Sequence, residues 1–429
     1  MPSSPATLAP RPPLQVGPTG RFLVDQHGTP VLVQGDTAWS IIVAATREHA
    51  LRYLDDRAAK GYNAIIVNLI EACFSPDPPR DLYGHEPFTR PGDFTTPNDA
   101  YFEHAARVVE QAAERGITVF LAPCYLGYKN PGYPGYGGRA EGFYAEVLAN
   151  GVDACGAYGR YVGRRFGRFD NLVWVMSGDR CPGTALEHVR AMANGILAED
   201  PRHLMTAHVN PECKPYEQYP DDPWLTLNQT YSYTIVHRAL IEDYNSRPVR
   251  PNILFESTYE NEHNASPLQI RRQAYWAFTS GACGHFLGTF PTWRFDQGWE
   301  AALESPGSLA MVHLKALMTS VPWWDLVPDQ GHTLVTRDIG ELRGLDFCSA
   351  AITPDARVAL VYVPTPREIT LDLTRLADGR LAVTWFDPLT GDRCDAGRYQ
   401  AAGSWPFRPP WDHDAVLLLE ADAGRAGED

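Results

Sequence analysis

The chain has 429 residues, a length for two or three domains or for one large barrel with a small appendage; 44% hydrophobic and 21% charged residues allow a substantial core and exclude a disordered or coiled-coil protein. Lys and Arg number 37 against 52 Asp and Glu, a formal net charge of -15; that is a poor footprint for gripping nucleic acid or docking on an anionic membrane. No stretch approaches the roughly 20 apolar residues of a membrane span.

The chain opens MPSSPATLAPRPPL, with neither a basic start nor an apolar core, so no secretory leader is signalled. Residues 1–20, rich in Pro, Ser and Gly, read as a flexible arm. RFLVDQ and TPVLVQG follow, split by His27 and Gly28, a hairpin signal. Then come eight short apolar runs: VLVQGDTAW (31–39), NAIIVNLI (63–70), TVFLAPCY (118–125), NLVWVMSGD (171–179), HLMTAHVNP (203–211), WLTLNQTY (224–231), NILFESTYE (252–260) and GHFLGTFPTW (284–293). Continuous rather than alternating hydrophobicity fits strands of a parallel sheet buried on both faces.

Helical stretches lie between the runs. TREHALRYLDDRAAK (46–60) has Thr46 as N-cap, Ala50, Leu51, Leu54 and Ala58 on one face, and Gly61 as stop. YFEHAARVVEQAAER (101–115) closes on Gly116 in the same way. Eight strand–helix units match a (β/α)₈ TIM barrel over residues 21–330. An open doubly wound sheet is the alternative, but neither GxGxxG nor a P-loop is present. From about residue 335 the pattern turns to short β-runs (LDFCSAAIT, RVALVYVPT, EITLDLTRL, LAVTWFDPLTGD, DAVLLLE) joined by Pro, Gly and Asp, which read as a small antiparallel β-sandwich over 331–429. The eight cysteines stand singly, without a CxxC pair. That pattern signals neither zinc nor a disulfide framework. The expectation is a cytoplasmic enzyme with reduced thiols, or a secreted or periplasmic one whose leader has been removed.

A barrel places its chemistry at the C-terminal ends of its strands. The eight runs end, in order, on Asp36 and Trp39; Asn68 and Glu71; Tyr125; Asp179 with Arg180; His208 and Asn210; Asn228, Gln229 and Tyr231; Glu256, Tyr259 and Glu260; and Trp293. Each has a plain structural reading: Asp36 as a helix cap, His208 as a hydrogen-bonded core histidine, Glu71 as a loop carboxylate, Glu260 as a loop anchor, the aromatics as core. Together they describe a polar mouth. The 11 Trp, 20 Tyr and 17 Phe of the chain also suit stacking on sugar rings. Asp179 ends a very apolar run, where desolvation raises a carboxyl pKa toward the range of a general acid. Glu256 interrupts the apolar NILFES run. Strands four and seven are expected to face each other across the mouth, and two opposed carboxyls are the minimum apparatus for glycosidic cleavage. The alternative is a structural acid pair, with Arg180 as the partner of Asp179.

GDTAW (35–39), YLDDRAAKGYNAI (53–65), NLVWVMSGD, FESTYE (255–260), RRQAYWAFTSGACGH (271–285) and PWWDLVPDQ (322–330) resemble, in order, the apiosidase-like glycoside hydrolases of family 140. The tail, with VTWFDPLTGD (383–392), is similar to the collagen-binding-like β-domain that follows the barrel in such proteins. The resemblance implies a clan-A type barrel and a retaining mechanism, with Asp179 as acid/base, Glu256 as nucleophile and Glu260 as the second acid of that motif. Two departures accompany it: FESTYE stands where GEPxYE is usual, and SGD where GGD is usual. The founding activity of that family removes apiose, a branched furanose, from pectin side chains.

The resulting expectation is a retaining glycosidase that cleaves an apiose-like or related furanosidic bond in oligosaccharides derived from plant or microbial polysaccharide. Trp39, Tyr231 or Trp293 would stack on the sugar, with Asp36, Asn68, Glu71, Tyr125, His208, Gln229 and Glu260 completing the binding site. No metal or organic cofactor is expected, nor a nucleic-acid or membrane partner, and nothing in the sequence sets the oligomeric state. The alternatives are a glycosidase of other sugar specificity and a non-catalytic carbohydrate-binding barrel. A metal-dependent hydrolase ranks last, since HxH and HExxH are absent.

Overall fold

The structure, a computed structural model, describes residues 11–128 and 142–422. Gln15–Val16, Leu23–Val24 and Pro30–Val31 form a small antiparallel sheet. Asp25 Oδ1 accepts the backbone N–H groups of His27 and Thr29 at 2.9 and 3.0 Å, which fixes the turn at His27 and Gly28. Of the segment read as a flexible arm, residues 1–10 lie outside the described residues, while Gln15–Val16 is paired.

The eight expected runs are the eight strands of a (β/α)₈ barrel: β1 (Val33–Thr37), β2 (Ala64–Asn68), β3 (Thr118–Ala122), β4 (Leu172–Ser177), β5 (Met205–His208), β6 (Asn228–Tyr231), β7 (Asn252–Glu256) and β8 (Gly284–Leu287). They hydrogen-bond in the order β5-β4-β3-β2-β1-β8-β7-β6. Registers such as Asn68 beside Ala122 and Ser177 beside His208 align the strand ends. Every residue in all eight strands is buried, which explains why the runs lack alternation.

The chain divides into two compact units, residues through Gln229 with Phe290–Leu303, and Thr230–Thr289 with Glu304 onward. In the first, α1 (Arg47–Ala59) is capped by Thr46, whose side chain accepts from His49 N, and α2 (Asp99–Glu114) by Asn98, which accepts from Ala100 N. The helix α2 buries Tyr101, Phe102, Ala105, Val108, Val109 and Ala112 along one side. It starts two residues ahead of Tyr101 because the cap is Asn98. Helices α3 (Tyr144–Phe166) and α4 (Leu186–Glu199) also belong to this unit, whose core joins Ile65, Val67, Val119, Leu121, Trp174 and Met176.

The second unit carries α5 (Val236–Tyr244), α6 (Pro267–Thr279), α7 (Pro306–Thr319) and nine short strands: β9 (Val327–Pro328), β10 (Val335–Arg337), β11 (Ser349–Ile352), β12 (Val358–Val363), β13 (Ile369–Asp372), β14 (Arg380–Phe386), β15 (Arg393–Gln400), β16 (Ser404–Phe407) and β17 (Ala415–Ala421). They make a six-stranded sheet, β9-β11-β12-β17-β14-β15, and a three-stranded one, β10-β13-β16. The two share one core through Ile369, Leu371 and Phe407 on one side and Val361, Val383 and Leu417 on the other, so this is a sandwich. The helix α6 is fastened to it by a buried Arg271–Asp414 ion pair, by Tyr275 stacked on Tyr362 at 5.0 Å, and by a 2.6 Å bond between Thr279 and Ser349 hydroxyls. No helix among the described residues is long and apolar enough to cross a membrane.

Candidate active site

The strand β4 ends in Ser177, Gly178 and Asp179, with φ of 70°, 127° and 46°. Three successive left-handed residues bend the chain sharply, and such strain of about 1–3 kcal/mol per non-glycine residue persists only where the surroundings enforce it. Here they do. The Gly178 N–H donates to the His208 carbonyl at 2.8 Å, and the Ser177 hydroxyl meets that of Tyr219 at 2.7 Å. Gly178 is obligatory: a Cβ there would lie 2.5 Å from the Tyr125 ring.

This turn delivers the Asp179 carboxylate to two partners. The Tyr125 hydroxyl donates to Oδ2 at 2.6 Å, and His208 Nε2 lies 2.7 Å from Oδ1. His208 is wholly buried at the end of β5, its Nδ1 is 3.2 Å from Gln229 Oε1, and its ring stacks on Trp39 at 5.5 Å. Asp179 keeps 17% of its side chain exposed. It is therefore a held but reachable carboxylate.

Aromatic and acidic groups extend this wall. The Phe74 ring lies 5.2 Å from that of Tyr125 and 5.0 Å from that of Trp293. The Trp293 carbonyl accepts from Ser40 N at 3.2 Å, and the Ser40 hydroxyl donates to Glu71 Oε2 at 3.3 Å. Glu71 is fully buried; its other oxygen accepts Ser75 N at 2.8 Å. Burial, opposed by these bonds, lifts its carboxyl to about 7. Burial likewise pushes the Cys73 thiol well up, with Glu71 and Asp179 adding to it. Asn68, at the end of β2, is buried, and its side-chain amide has no hydrogen-bond partner among the described residues. Trp39, Glu71, Tyr125, Asp179, His208, Gln229 and Trp293 thus form one connected cluster.

The second unit holds the other carboxylate. Glu256 closes β7, buried, with its Oε1 accepting from the Tyr233 hydroxyl at 2.9 Å. The Tyr233 and Tyr231 hydroxyls are 3.1 Å apart, and their rings lie edge to face. Tyr231 is buried, whereas Tyr233 is 39% exposed, with its ring edge to face with those of Tyr231 and His263. In the first unit the carboxyls, the imidazole and the Tyr125 phenol are groups suited to acid–base chemistry on a hydroxylated ligand; in the second, Glu256 and the two tyrosines are.

Several expected residues stand elsewhere. Asp36 is wholly buried, its Oδ2 bound by Arg57 Nε at 2.8 Å and the Tyr53 hydroxyl at 2.9 Å, its Oδ1 by Thr37 N. Burial pushes its carboxyl up, opposed by the Arg57 charge. It ties β1 to α1. Glu260 is buried and accepts Gly307 N at 2.8 Å at the start of α7, an anchor of loop to helix. Arg180 does not take the partner role weighed for it; its guanidinium lies 3.3 Å over the Tyr144 ring. Sequence reasoning missed Tyr233, Phe74 and Ser40. The pattern Tyr231-Ser232-Tyr233 carried the one available signal, since alternate residues of an extended segment share a face.

A model of the "Apiosidase-like, catalytic domain" family matches residues 18–325, and one described as "Putative collagen-binding domain of a collagenase" matches 327–420. Among curated proteins, none matches the sequence. A solved glycoside hydrolase family 5 protein of Bacteroides vulgatus superposes with a TM-score of 0.84 at 23% identity, covering 97% of this chain and 94% of its own. Another solved structure, titled a glycoside hydrolase, does so with 0.83 at 22% identity, covering 96% and 97%. At these identities the likeness speaks to fold.

Proposed function

This chain belongs to the apiosidase-like family of glycoside hydrolases, and on that premise we propose that it cleaves a furanosidic, apiose-like bond in oligosaccharides by double displacement with retention. Asp179 is the acid/base and Glu256 the nucleophile. In the first step the Glu256 carboxylate attacks the anomeric carbon. The glycosidic C–O bond breaks, and its electron pair goes to the leaving oxygen, which takes a proton from Asp179. In the second step water attacks the same carbon, Asp179 removes the water proton, and the Glu256 ester bond breaks.

The observation that carries this reading is the strained turn at 177–179, which supplies one reachable carboxylate clasped by Tyr125 and His208. Strain of this kind is retained where it serves function. The Tyr233 hydroxyl on Glu256 Oε1 orients the proposed nucleophile. Trp39 braces His208, and Asn68 and Tyr233 are the groups best placed to meet sugar hydroxyls and a ring face.

The test is a product screen on furanoside- and pectin-derived oligosaccharides, with NMR of the first-formed anomer. Release of a terminal furanose with retained configuration is expected. Initial release of the opposite anomer contradicts double displacement; turnover of pyranosides alone contradicts the sugar assignment; binding without turnover across the panel supports the non-catalytic alternative.

A further inference from the structure

We propose that the chain directly after β5 aims the acid/base, with Tyr219 and Asn210 as positioning residues; this rests on Asp179 having the acid/base role. Among the described residues neither side chain has a hydrogen bond to Asp179. Each instead holds one end of the short segment that carries it.

Asp179 is the middle residue of segment 177–181. The first residue is held through its side chain: the Ser177 and Tyr219 hydroxyls lie 2.7 Å apart. The last is held through its backbone: Asn210 Oδ1 accepts Cys181 N at 2.7 Å. Both ties come from residues 209–219, while the Gly178 N–H reaches the His208 carbonyl at the end of β5 itself. The three left-handed residues between the ties keep their conformation only while their surroundings enforce it.

Ser177 and Tyr219 are both buried, and neither hydroxyl has another hydrogen-bond partner among the described residues. Removing the phenol oxygen therefore strands a buried serine hydroxyl, which favours rotation of Ser177 out of its present geometry. Tyr219 is itself fixed. Its ring meets that of Trp224 edge to face at 4.8 Å, and the Trp224 indole N–H donates to Asp222 Oδ1 at 3.1 Å. Arg190 of α4 donates to Asp222 Oδ2 from Nε at 3.0 Å and from Nη2 at 2.9 Å. Burial pushes the Tyr219 phenol up, so it keeps its proton and stays a neutral hydroxyl. A phenylalanine would fill the same space, so the oxygen is the part that serves the turn.

The experiment compares two aryl glycosides of the sugar found by the product screen, one carrying dinitrophenol and one carrying phenol as leaving group. Dinitrophenolate departs without a proton, whereas phenol departure needs the acid, and kcat/KM reports that first cleavage. Tyr219→Phe and Asn210→Ala should each lower kcat/KM about tenfold for the phenyl glycoside and leave the dinitrophenyl value near the parent. Ser177→Ala should do the same, and joining it to Tyr219→Phe should add nothing, because both remove one bond. Crystals of Tyr219→Phe should show the Asp179 carboxyl displaced from the Tyr125 hydroxyl. Equal losses with both leaving groups would mark general damage and overturn the proposal. Parental rates, additive losses or an undisplaced Asp179 carboxyl would overturn it as well. Asp179→Asn on the same two substrates tests the role of Asp179 separately. A loss confined to the phenyl glycoside keeps Asp179 as the acid. An equal loss on both, or none, withdraws that role, and the crystals then decide whether Tyr219 places this carboxyl.

Discussion

Two aspartates in the first unit are built from nearly the same parts and sit in opposite surroundings. Asp36 has a tyrosine hydroxyl at 2.9 Å and a guanidinium at 2.8 Å; Asp179 has a tyrosine hydroxyl at 2.6 Å and an imidazole at 2.7 Å. The first sits in regular strand geometry, wholly buried, opposite a partner that never loses its charge. The second sits at a positive φ, with an open edge and an imidazole nitrogen as its partner. Partner number does not separate structural from chemical carboxylates. On the proposed reading, exposure and backbone strain do.

The comparison breaks most visibly in rate. Asp179→Asn and Glu256→Gln should each lower kcat by about 10³-fold or more with melting temperature nearly unchanged, as removal of a positioned acid or nucleophile does. Asp36→Asn should do the reverse. It removes the closer of two carboxylates beside buried Arg57, with Asp56 remaining at 3.6 Å, and should cost about 3 kcal/mol in chemical denaturation, with the activity per folded molecule kept. If Asp36→Asn abolishes activity in folded protein, the division between the two sites is wrong.

A smaller effect sharpens it. Gly178→Ala puts a methyl group into the Tyr125 ring and should lower kcat about 10²-fold through displacement of the Asp179 carboxyl, a cost typical of misplacement by about 1 Å. Parental rates would show that the left-handed turn is dispensable.

The smallest effect concerns Glu71, held protonated to about 7 against an ordinary 4.5. Its native pKa is raised, so its contribution to stability is complete below pH 4.5 and is lost as pH rises through about 7, where a buried carboxyl must ionise. Glu71→Gln should therefore lie close to the parent near pH 5 and gain a further amount of about 2–3 kcal/mol by pH 8. Denaturation curves at the two pH values check this, and equal gains at both would contradict it.

The barrel was legible because its strands are buried on both faces, which leaves runs such as NAIIVNLI without a polar alternate. The sandwich was half legible. Its inner strands β12 and β17 are apolar, but β15, RCDAGRYQ, is half exposed along its length, and β16 carries Pro406, so neither reads as a strand. The site was legible as positions and less so as roles. A strand-end residue announces that it lies near the mouth, not which face it turns to. Asp36 looked like its neighbours, and only the i, i+4 spacing of Tyr53 and Arg57 on α1 pointed to its real partners.

The most direct test of the central claim is the configuration of the glycosyl azide formed when azide is added to Asp179→Ala and Glu256→Ala with an activated aryl glycoside of the sugar found by the product screen. With Asp179 as acid/base and Glu256 as nucleophile, the first variant should give the azide with retained configuration and the second with inverted configuration. The opposite assignment, or parental hydrolysis by either variant without azide, would contradict the account.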